Sequence, residues 1–480
     1  MTLKVYDTLR RKKEEFRPVN EGRVGIYFCG MTVQDKPHMG HMLAFVAGDM
    51  IRRYLKFKGY EVTYLQNFTD VDDKIIARAV EEGIDFHEVA ERNIGEYFKY
   101  EKELNITPAD IYPRATEHIG DIISLIRSLE EKGLAYGSGG DVYFRVRGCP
   151  FYGKLSGRRV DELQSGARIE VGETKEDPLD FTLWKGAKEG EPAWDSPWGR
   201  GRPGWHIECS AMSMKYLGET LDMHGGGLDL VFPHHENEIA QSESATGRPY
   251  VRYWMHNGLL NLQGEKMSKS TGHFFSIEDI CREFPGDVVR FYLLSTHFRS
   301  TTEFGRERLK EAKAGLERIR NLCEYLDEAG RGGGGSAAAG GTEGGRKLID
   351  TAAQVKNDFL AAMDDDFNSG EAIGHIFRLV REVNRVKSED PAAVEGDESA
   401  RNALLSLFGI FDEILGLFRD GLPRASGSVP PEVAELAAQR EEARRSRDWA
   451  SADRLRARVL ELGWVIEDRP EGPRLKIRNS

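Results

Sequence analysis

VGIYFCGMTVQDKPHMGHMLAFVAGDMIRRYLKFKGYEVTYLQ, residues Val24–Gln66, is the stretch on which the fold turns. Val24–Cys29 is a short apolar run ending at Gly30 and predicts a strand, and Val62–Gln66 predicts another. Between them, His41–Phe57 repeats its apolar residues at helical spacing. A strand, a helix entered through a glycine-containing turn and a second strand make a βαβ unit, which implies a parallel sheet. His38-Met39-Gly40-His41 lies where the first strand turns into the helix. Imidazoles at i and i+3 share one helix face. A helix N-terminus attracts phosphate through its free N–H groups and its dipole, and Gly40 lets a flat ligand approach the backbone without a Cβ in the way. The arrangement suits an ATP site whose α-phosphate is attacked.

Helical patterns continue through Asp70–Gly83 and Phe86–Leu104. From Ala135 to about Gly201 the texture changes to short β-rich runs, Asp141–Val146 the clearest, and reads as an insertion. Mixed α/β texture returns at Trp205 and runs to about Ser300. Residues 331–346 (RGGGGSAAAGGTEGGR) form a linker with nothing to bury. Helices are expected on both sides of it, Ser300–Glu328 before and Lys347–Lys387 and Ser399–Phe418 after. A break at Pro423–Pro431 precedes a last module, which carries 11 Lys+Arg against 10 Asp+Glu from Val429 to Ser480, where Lys347–Ser428 carries 9 against 15. Its basic residues Arg440, Arg444, Arg445, Arg447, Arg454, Arg456 and Arg458 fall in one stretch of helical pattern.

Composition narrows the function classes. An apolar fraction of 40% and a charged fraction of 30% over 480 residues fit a multidomain globular enzyme rather than a disordered or fibrous chain. No window approaches the roughly 18 apolar residues of a spanning helix, and Met1–Phe16 lacks the apolar stretch of a signal peptide. Five cysteines read as reduced thiols or metal ligands of a cytoplasmic protein. A net charge of −12 argues against indiscriminate nucleic-acid binding, although 67 Lys and Arg residues can still build a local basic face.

Far downstream, Lys266-Met267-Ser268-Lys269-Ser270 is flanked by Gly264 and Gly272. Two lysines three apart, with small hydroxyls beside them, can wrap a pyrophosphate leaving group as point charges. Through these two strings the chain resembles the class I aminoacyl-tRNA synthetases. From end to end it resembles the cysteinyl-tRNA synthetases, most specifically in GRPGWHIECSAM at Gly201–Met212, HGGGLDLVFPHHENEIAQSE at His224–Glu243 and EKMSKSTG, with TVQDKPHMGH and NFTDVDDKI in support.

The resemblance implies an α/β chain with a Rossmann-type parallel-sheet catalytic domain split by a connective insertion, then an α-helical bundle and a small anticodon-binding module. The expected limits are 1–118 and 204–290 for the catalytic halves, 119–203 for the insertion and 291–330 for stem-contact helices. The linker takes 331–346, the bundle 347–422 and the last module 429–480. The implied reaction is ATP-dependent activation of L-cysteine to cysteinyl-adenylate, followed by transfer to the 3′ end of tRNA(Cys), first on its 2′-hydroxyl. His38 and His41 would stabilise the phosphate, and Lys266 and Lys269 the departing pyrophosphate. Gly40, Gly226 and Asp229 join these as ATP contacts, Asp229 resembling the ribose-binding acid. Magnesium is expected with ATP, and a monomer is expected.

Cys29, Cys209, His234 and Glu238 are the candidate metal ligands. Trp205 and Cys209, like His234 and Glu238, are four apart and would share a helix face. From the residues alone a zinc sphere and ordinary buried packing stand level; the resemblance fills all four positions, and implies one Zn2+ per subunit. Zinc suits a cysteine-specific site because sulfur and oxygen differ little in an apolar pocket but greatly as ligands of a soft metal. Trp205 is expected as a wall of the side-chain pocket, and Cys149, Cys281 and Cys323 as structural. The chain departs from the family pattern at Gln34, Pro37, Met39, Met42, Leu43 and His273. Two other readings stay open, a related ligase that joins cysteine to an amino-sugar and a zinc-holding RNA-binding or thiol-sensing protein.

Overall fold

The structure, a computed structural model, describes residues 2–162, 175–262, 265–266, 276–331, 342–424, 431–468 and 473–477. It divides into two compact units, one of Met1–Glu317, Ala353–Leu379 and Gly409–Arg419, the other of Arg318–Ala352, Val380–Phe408 and Asp420–Ser480. No helix among the described residues is long and apolar enough to cross a membrane.

In the first unit, β1 (Lys4–Asp7) and β2 (Lys12–Glu15) make an antiparallel hairpin ahead of the predicted βαβ unit. That unit follows as β3 (Arg23–Thr32), α1 (Met39–Phe57) and β4 (Glu61–Thr69), with α2 (Asp73–Glu82) and α3 (Phe86–Glu103) after it. α4 (Ile119–Glu131) leads into the insertion. There β5 (Ala135–Ser138), β6 (Asp141–Phe144), β7 (Phe181–Gly186) and β8 (Gly201–Pro203) pair antiparallel in chain order. Val142, Phe144, Leu183 and Trp184 of that sheet pack on Ile122, Ile126 and Leu129 of α4. The chain returns through α5 (Trp205–Leu217), β9 (Leu221–Gly227), α6 (Glu236–Thr246) and β10 (Val251–Asn257).

The main sheet is parallel, in the order β10-β9-β3-β4. β3 pairs first with β4 on one side and then receives β9 on the other, so the winding reverses at β3/β9. In such sheets ligands bind outside the carboxyl ends of the strands at the reversal. β3 runs three residues beyond the predicted end, and its pairing with β4 is interrupted between Phe28 and Met31. Cys29 and Gly30 fall in that irregularity, so Cys29 is aimed from a distortion within the strand rather than from its terminus. Only glycine fits at 30, since a Cβ there would overlap the Asn67 carbonyl oxygen of β4.

After β10 come β11 (Leu260–Leu262) and β12 (Glu265–Lys266), then α7 (Ile277–Glu283), α8 (Gly286–Leu294), β13 (Thr302–Glu303) and α9 (Arg306–Arg331). The helix expected over Lys347–Lys387 is two, α10 (Glu343–Asp364) and α11 (Ser369–Glu389). They are separated at Asp366 and Phe367, whose φ values of 66° and 56° no α-helix accommodates. Asp366 is held there by the Arg299 guanidinium at 2.7 and 3.0 Å and by accepting the Tyr6 N–H. A short α12 (Ala392–Glu395) and α13 (Glu398–Leu415) follow.

Within the second unit, α14 (Pro431–Arg445), α15 (Trp449–Glu461) and the antiparallel pair β14 (Trp464–Glu467) and β15 (Arg474–Ile477) share a core of Val433, Ala437, Val459, Trp464 and Ile466. The arginine-rich stretch is therefore two helices, broken at Arg447, whose φ is 60°. Arg440 is buried and donates to both Asp468 oxygens, at 2.7 and 3.0 Å. It braces the module instead of facing out.

Candidate functional site

α1 begins with a reciprocal cap built from histidine. The His41 N–H donates to His38 Nδ1 at 3.2 Å and the His38 N–H to His41 Nδ1 at 3.3 Å, and the two rings stack at 3.5 Å. Because each Nδ1 accepts, each neutral ring carries its proton on Nε2. The capping pattern thus makes two imidazole N–H donors beside a helix N-terminus, a combination suited to an anion. Both rings line a cavity of about 440 Å3 at the strand ends, with Cys29, Gly30 and Thr32 of β3, Gly40, Trp205, Gly227, Asp229 and Asn257. That volume suits a small-molecule site.

Gly226 is not part of this wall. It packs against Leu230 and His235, and its neighbour Gly227 faces the cavity. Gln34, Lys36 and Lys74 also line the cavity; no spacing in the sequence marks them. Of the departures from the family pattern among the described residues, Gln34 alone lies on this wall. Pro37, Met39, Met42 and Leu43 are buried in packing. Lys269 and His273 lie outside the described residues. The backbone of Lys266 is described, in β12 paired with Asn261 of β11.

Behind the cavity wall, β3, α5, the turn into α6 and α6 itself bring Cys29, Cys209, His234 and Glu238 together, with one ligand atom from each within 4.8 Å of every other. The thiol sulfurs are 3.9 Å apart, Cys29 Sγ is 3.8 Å from Glu238 Oε1, and His234 Nε2 is 3.1 Å from the same oxygen. Donors bound tetrahedrally at ~2.0–2.3 Å stand roughly 3.3–3.8 Å apart, so the spacing fits one such ion. The set is buried, and Cys29 carries it to the cavity surface.

Among the described residues a second set overlaps the first, Cys29, His224, His235 and Glu238. The surrounding hydrogen bonds separate the two. His224 Nε2 is 2.8 Å from Glu238 Oε2, and His235 spends Nδ1 on His256 Nε2 at 2.7 Å while its Nε2 lies 3.3 Å from Cys29 Sγ. Using the second set through His224 Nε2 would break the Glu238–His224 bond. Using the first breaks none of these. It leaves His234 Nδ1 on His206 Nδ1 at 2.9 Å and Glu238 Oε2 on His224, the outer contacts that orient metal ligands.

The electrostatics favour the charged donor form at Cys209 and Glu238 only. The hydrogen bond from Cys29 pulls Cys209 down to about 6, against its burial. Burial pushes the Cys29 thiol well up. Burial would also raise Glu238, but the charges of His224 and His234 hold its carboxyl well below the usual range. Burial alone would lower His234, and Glu238 with Cys209 raise it to about 10, a proton that a bound metal must displace. Trp205 stacks on His234 at 4.3 Å, is 38% exposed and lines the cavity, so one residue touches both the donor set and the open space.

Comparison with known proteins follows the same lines. A family model described as the tRNA synthetases class I (C) catalytic domain matches residues 15–314, a DALR domain matches 358–419, and a cysteinyl-tRNA ligase anticodon binding domain matches 426–474. The chain is 50% identical to the cysteine–tRNA ligase of Pelotomaculum thermopropionicum over 99% of both proteins, and 50% identical to that of Geobacter sulfurreducens over 100% of both. It is 47% identical to that of Thermococcus onnurineus over 98% of both. In fold it is similar to Mycobacterium tuberculosis methionyl-tRNA synthetase in complex with methionyl-adenylate. The TM-score is 0.65 at 18% identity, over 84% of this chain and 92% of that one.

Proposed function

The chain belongs to the class I cysteinyl-tRNA synthetases, and on that premise we propose how its residues divide the ATP-dependent joining of cysteine to tRNA. The observation that carries the reading is one geometry: a thiol-containing donor set that reaches, through Cys29, a cavity also lined by a histidine-capped helix N-terminus.

Cys29, Cys209, His234 and Glu238 hold one zinc ion per chain. The mix of two thiols, an imidazole and a carboxylate supports zinc over harder cations. When bound, zinc supplies a soft partner for the substrate sulfur, which a serine hydroxyl cannot match at neutral pH. Trp205 walls the side-chain pocket and, by stacking on His234, fixes that ring. His38 and His41 donate from Nε2 to the α-phosphate as charge builds there. Asp229 accepts from the ribose hydroxyls, with Gly40 and Gly227 giving the nucleotide room. Lys266 and Lys269 receive the departing pyrophosphate, and magnesium accompanies ATP. No residue acts as a covalent nucleophile; cysteine carboxylate attacks phosphorus, and positioning with electrostatic stabilisation supplies the rate.

In the second unit, exposed Trp449 at the start of α15, with Arg447, Arg454 and Arg456 near it, is the surface offered to the anticodon, and Trp464 is core. A cytoplasmic monomer is the state expected for this work. The amino-sugar reading is set aside, since the helical and anticodon-binding models match the chain from residue 358 onward. The test is cysteine-dependent ATP–pyrophosphate exchange with a serine control, then transfer to tRNA, alongside metal analysis. Exchange with cysteine and about one zinc per chain are expected. Active protein without zinc would refute the metal assignment.

A further inference from the structure

The two oxygens of Glu238 have different surroundings. Oε1 faces the donor set, 3.1 Å from His234 Nε2 and 3.8 Å from Cys29 Sγ. Oε2 faces away and accepts twice, from His224 Nε2 at 2.8 Å and from the Tyr250 hydroxyl at 3.0 Å. A carboxylate can only accept, so the single proton of Tyr250 is committed to Glu238. The Tyr250 oxygen must then accept from Ser213 Oγ, 2.6 Å away, a shorter contact than the 3.3 Å from that Oγ to the Ser210 carbonyl. Ser213 stands four residues after Cys209 on α5, so the helix that supplies a thiol also supplies the brace for the carboxylate. Glu238, Tyr250 and Ser213 are fully buried, and neither Tyr250 nor Ser213 lines the cavity.

We propose that Tyr250, braced by Ser213, is a positioning residue that ties up Glu238 Oε2 and keeps the carboxylate a one-oxygen metal ligand, which reserves a coordination position for the cysteine sulfur. This rests on the zinc assignment above. Four protein donors and one substrate sulfur already make five, the upper end of what zinc sites adopt. A Glu238 free to swing both oxygens inward would fill the position that the substrate needs. Tyr250 therefore governs cysteine affinity without touching cysteine. The local sequence gives no sign of this role, because Tyr250 lies outside every motif and comes to Glu238 only through the return of the chain into β10.

The test compares wild-type enzyme with Tyr250→Phe and Ser213→Ala, each loaded with zinc and, separately, with cobalt(II). Removing a hydrogen bond to a metal-ligating side chain costs about 10–100-fold in metal affinity or activity. Tyr250→Phe is expected to keep about one zinc per chain, to raise KM for cysteine about 10–100-fold in ATP–pyrophosphate exchange, and to leave KM for ATP unchanged. Before cysteine is added, the cobalt form should show weaker visible absorption than wild type, as a higher coordination number requires. Ser213→Ala should move both readouts the same way by a smaller amount, and serves if Tyr250→Phe does not fold. Unchanged cysteine KM and an unchanged cobalt spectrum would overturn the proposal, as would a loss of thermal stability with neither readout altered. Failure of the zinc assignment itself is seen separately, as wild-type enzyme that is active without metal.

Discussion

At the scale of single residues, the donor set makes the sharpest demands. Cys209→Ser removes one thiol from a buried set and replaces it with a hydroxyl that does not ionise to match. Zinc content should fall, and the apparent KM for cysteine should rise far more than that for ATP, because the residues proposed for ATP, His38, His41 and Asp229, are untouched. Equal loss in both constants would mean that the site had collapsed. Gly30→Ala tests the same centre through the backbone. The new methyl has no space against the Asn67 carbonyl, so β3 must move where Cys29 is aimed. Overpacking of this sort costs about 1–3 kcal/mol, and both the melting temperature and the zinc content should drop. A protein with full zinc and an unaltered melting curve would show that the strand distortion has no part in placing Cys29. The four candidate ligands were legible in the sequence through their strings, and so was the i, i+4 spacing that puts His234 beside Glu238. Their supports were not. His206, His224 and Tyr250 reach the donor set by hydrogen bonds whose partners lie 12 or more residues apart in the chain, so no spacing rule finds them.

At the scale of elements, α1 is pinned to its surroundings by charge. Asp49 on α1 is fully buried and takes the Arg290 guanidinium of α8 at 2.5 Å, Arg53 at 2.8 Å and the Thr107 N–H at 3.0 Å. Arg290, also fully buried, donates three more protons to the carbonyls of Leu104, Asn105 and Leu415. Removing one partner strands the other in a dry site, so Asp49→Ala should cost about 3–5 kcal/mol in denaturant unfolding of the first unit. Burial pushes the Asp49 carboxyl up, but Arg290 and Arg53 outweigh it and hold its pKa below the ordinary value. Its contribution is therefore present above pH ~4, where the unfolded carboxyl ionises, and is lost as pH falls through the lower folded pKa. Asp49→Asn should lose stability less steeply over that acid range than wild type, measured as melting temperature against pH. The βαβ core, the insertion and the long helices follow patterns that period and composition reveal. The β1–β2 hairpin and the break at Asp366 do not, since KVYD and KKEE carry too little apolar alternation and the break is set by Arg299 and Tyr6, distant in sequence.

For the whole molecule, the decisive question is whether cysteine activation and tRNA reading separate along the chain. The last module has its own core in Val433, Ala437, Val459, Trp464 and Ile466, and its own brace in Arg440 and Asp468. Every residue proposed for ATP, zinc or cysteine precedes Ser300. Cutting the chain before Val429 therefore removes a self-packed piece and no part of the activation chemistry. Trp449 is 58% exposed and so leaves a ring available for stacking. Base stacking on such a ring is worth about 1–3 kcal/mol. Arg447 and Arg456 have no carboxylate partner among the described residues, whereas Arg440 and Arg444 are spent on Asp468 and Arg458 on Glu461. Arginines without internal partners are the ones able to neutralise phosphate and so to make binding fall with salt. The truncated chain should keep cysteine-dependent ATP–pyrophosphate exchange near the full rate, yet charge tRNA more slowly and bind it with a shallower salt slope. Trp449→Ala in the full chain should reproduce the loss of affinity while keeping the salt slope, because a stacking ring releases no counterions. Arg456→Ala should do the converse and flatten the slope by about one contact. If the truncated enzyme charges tRNA as fast as the full chain, the module does not read the anticodon.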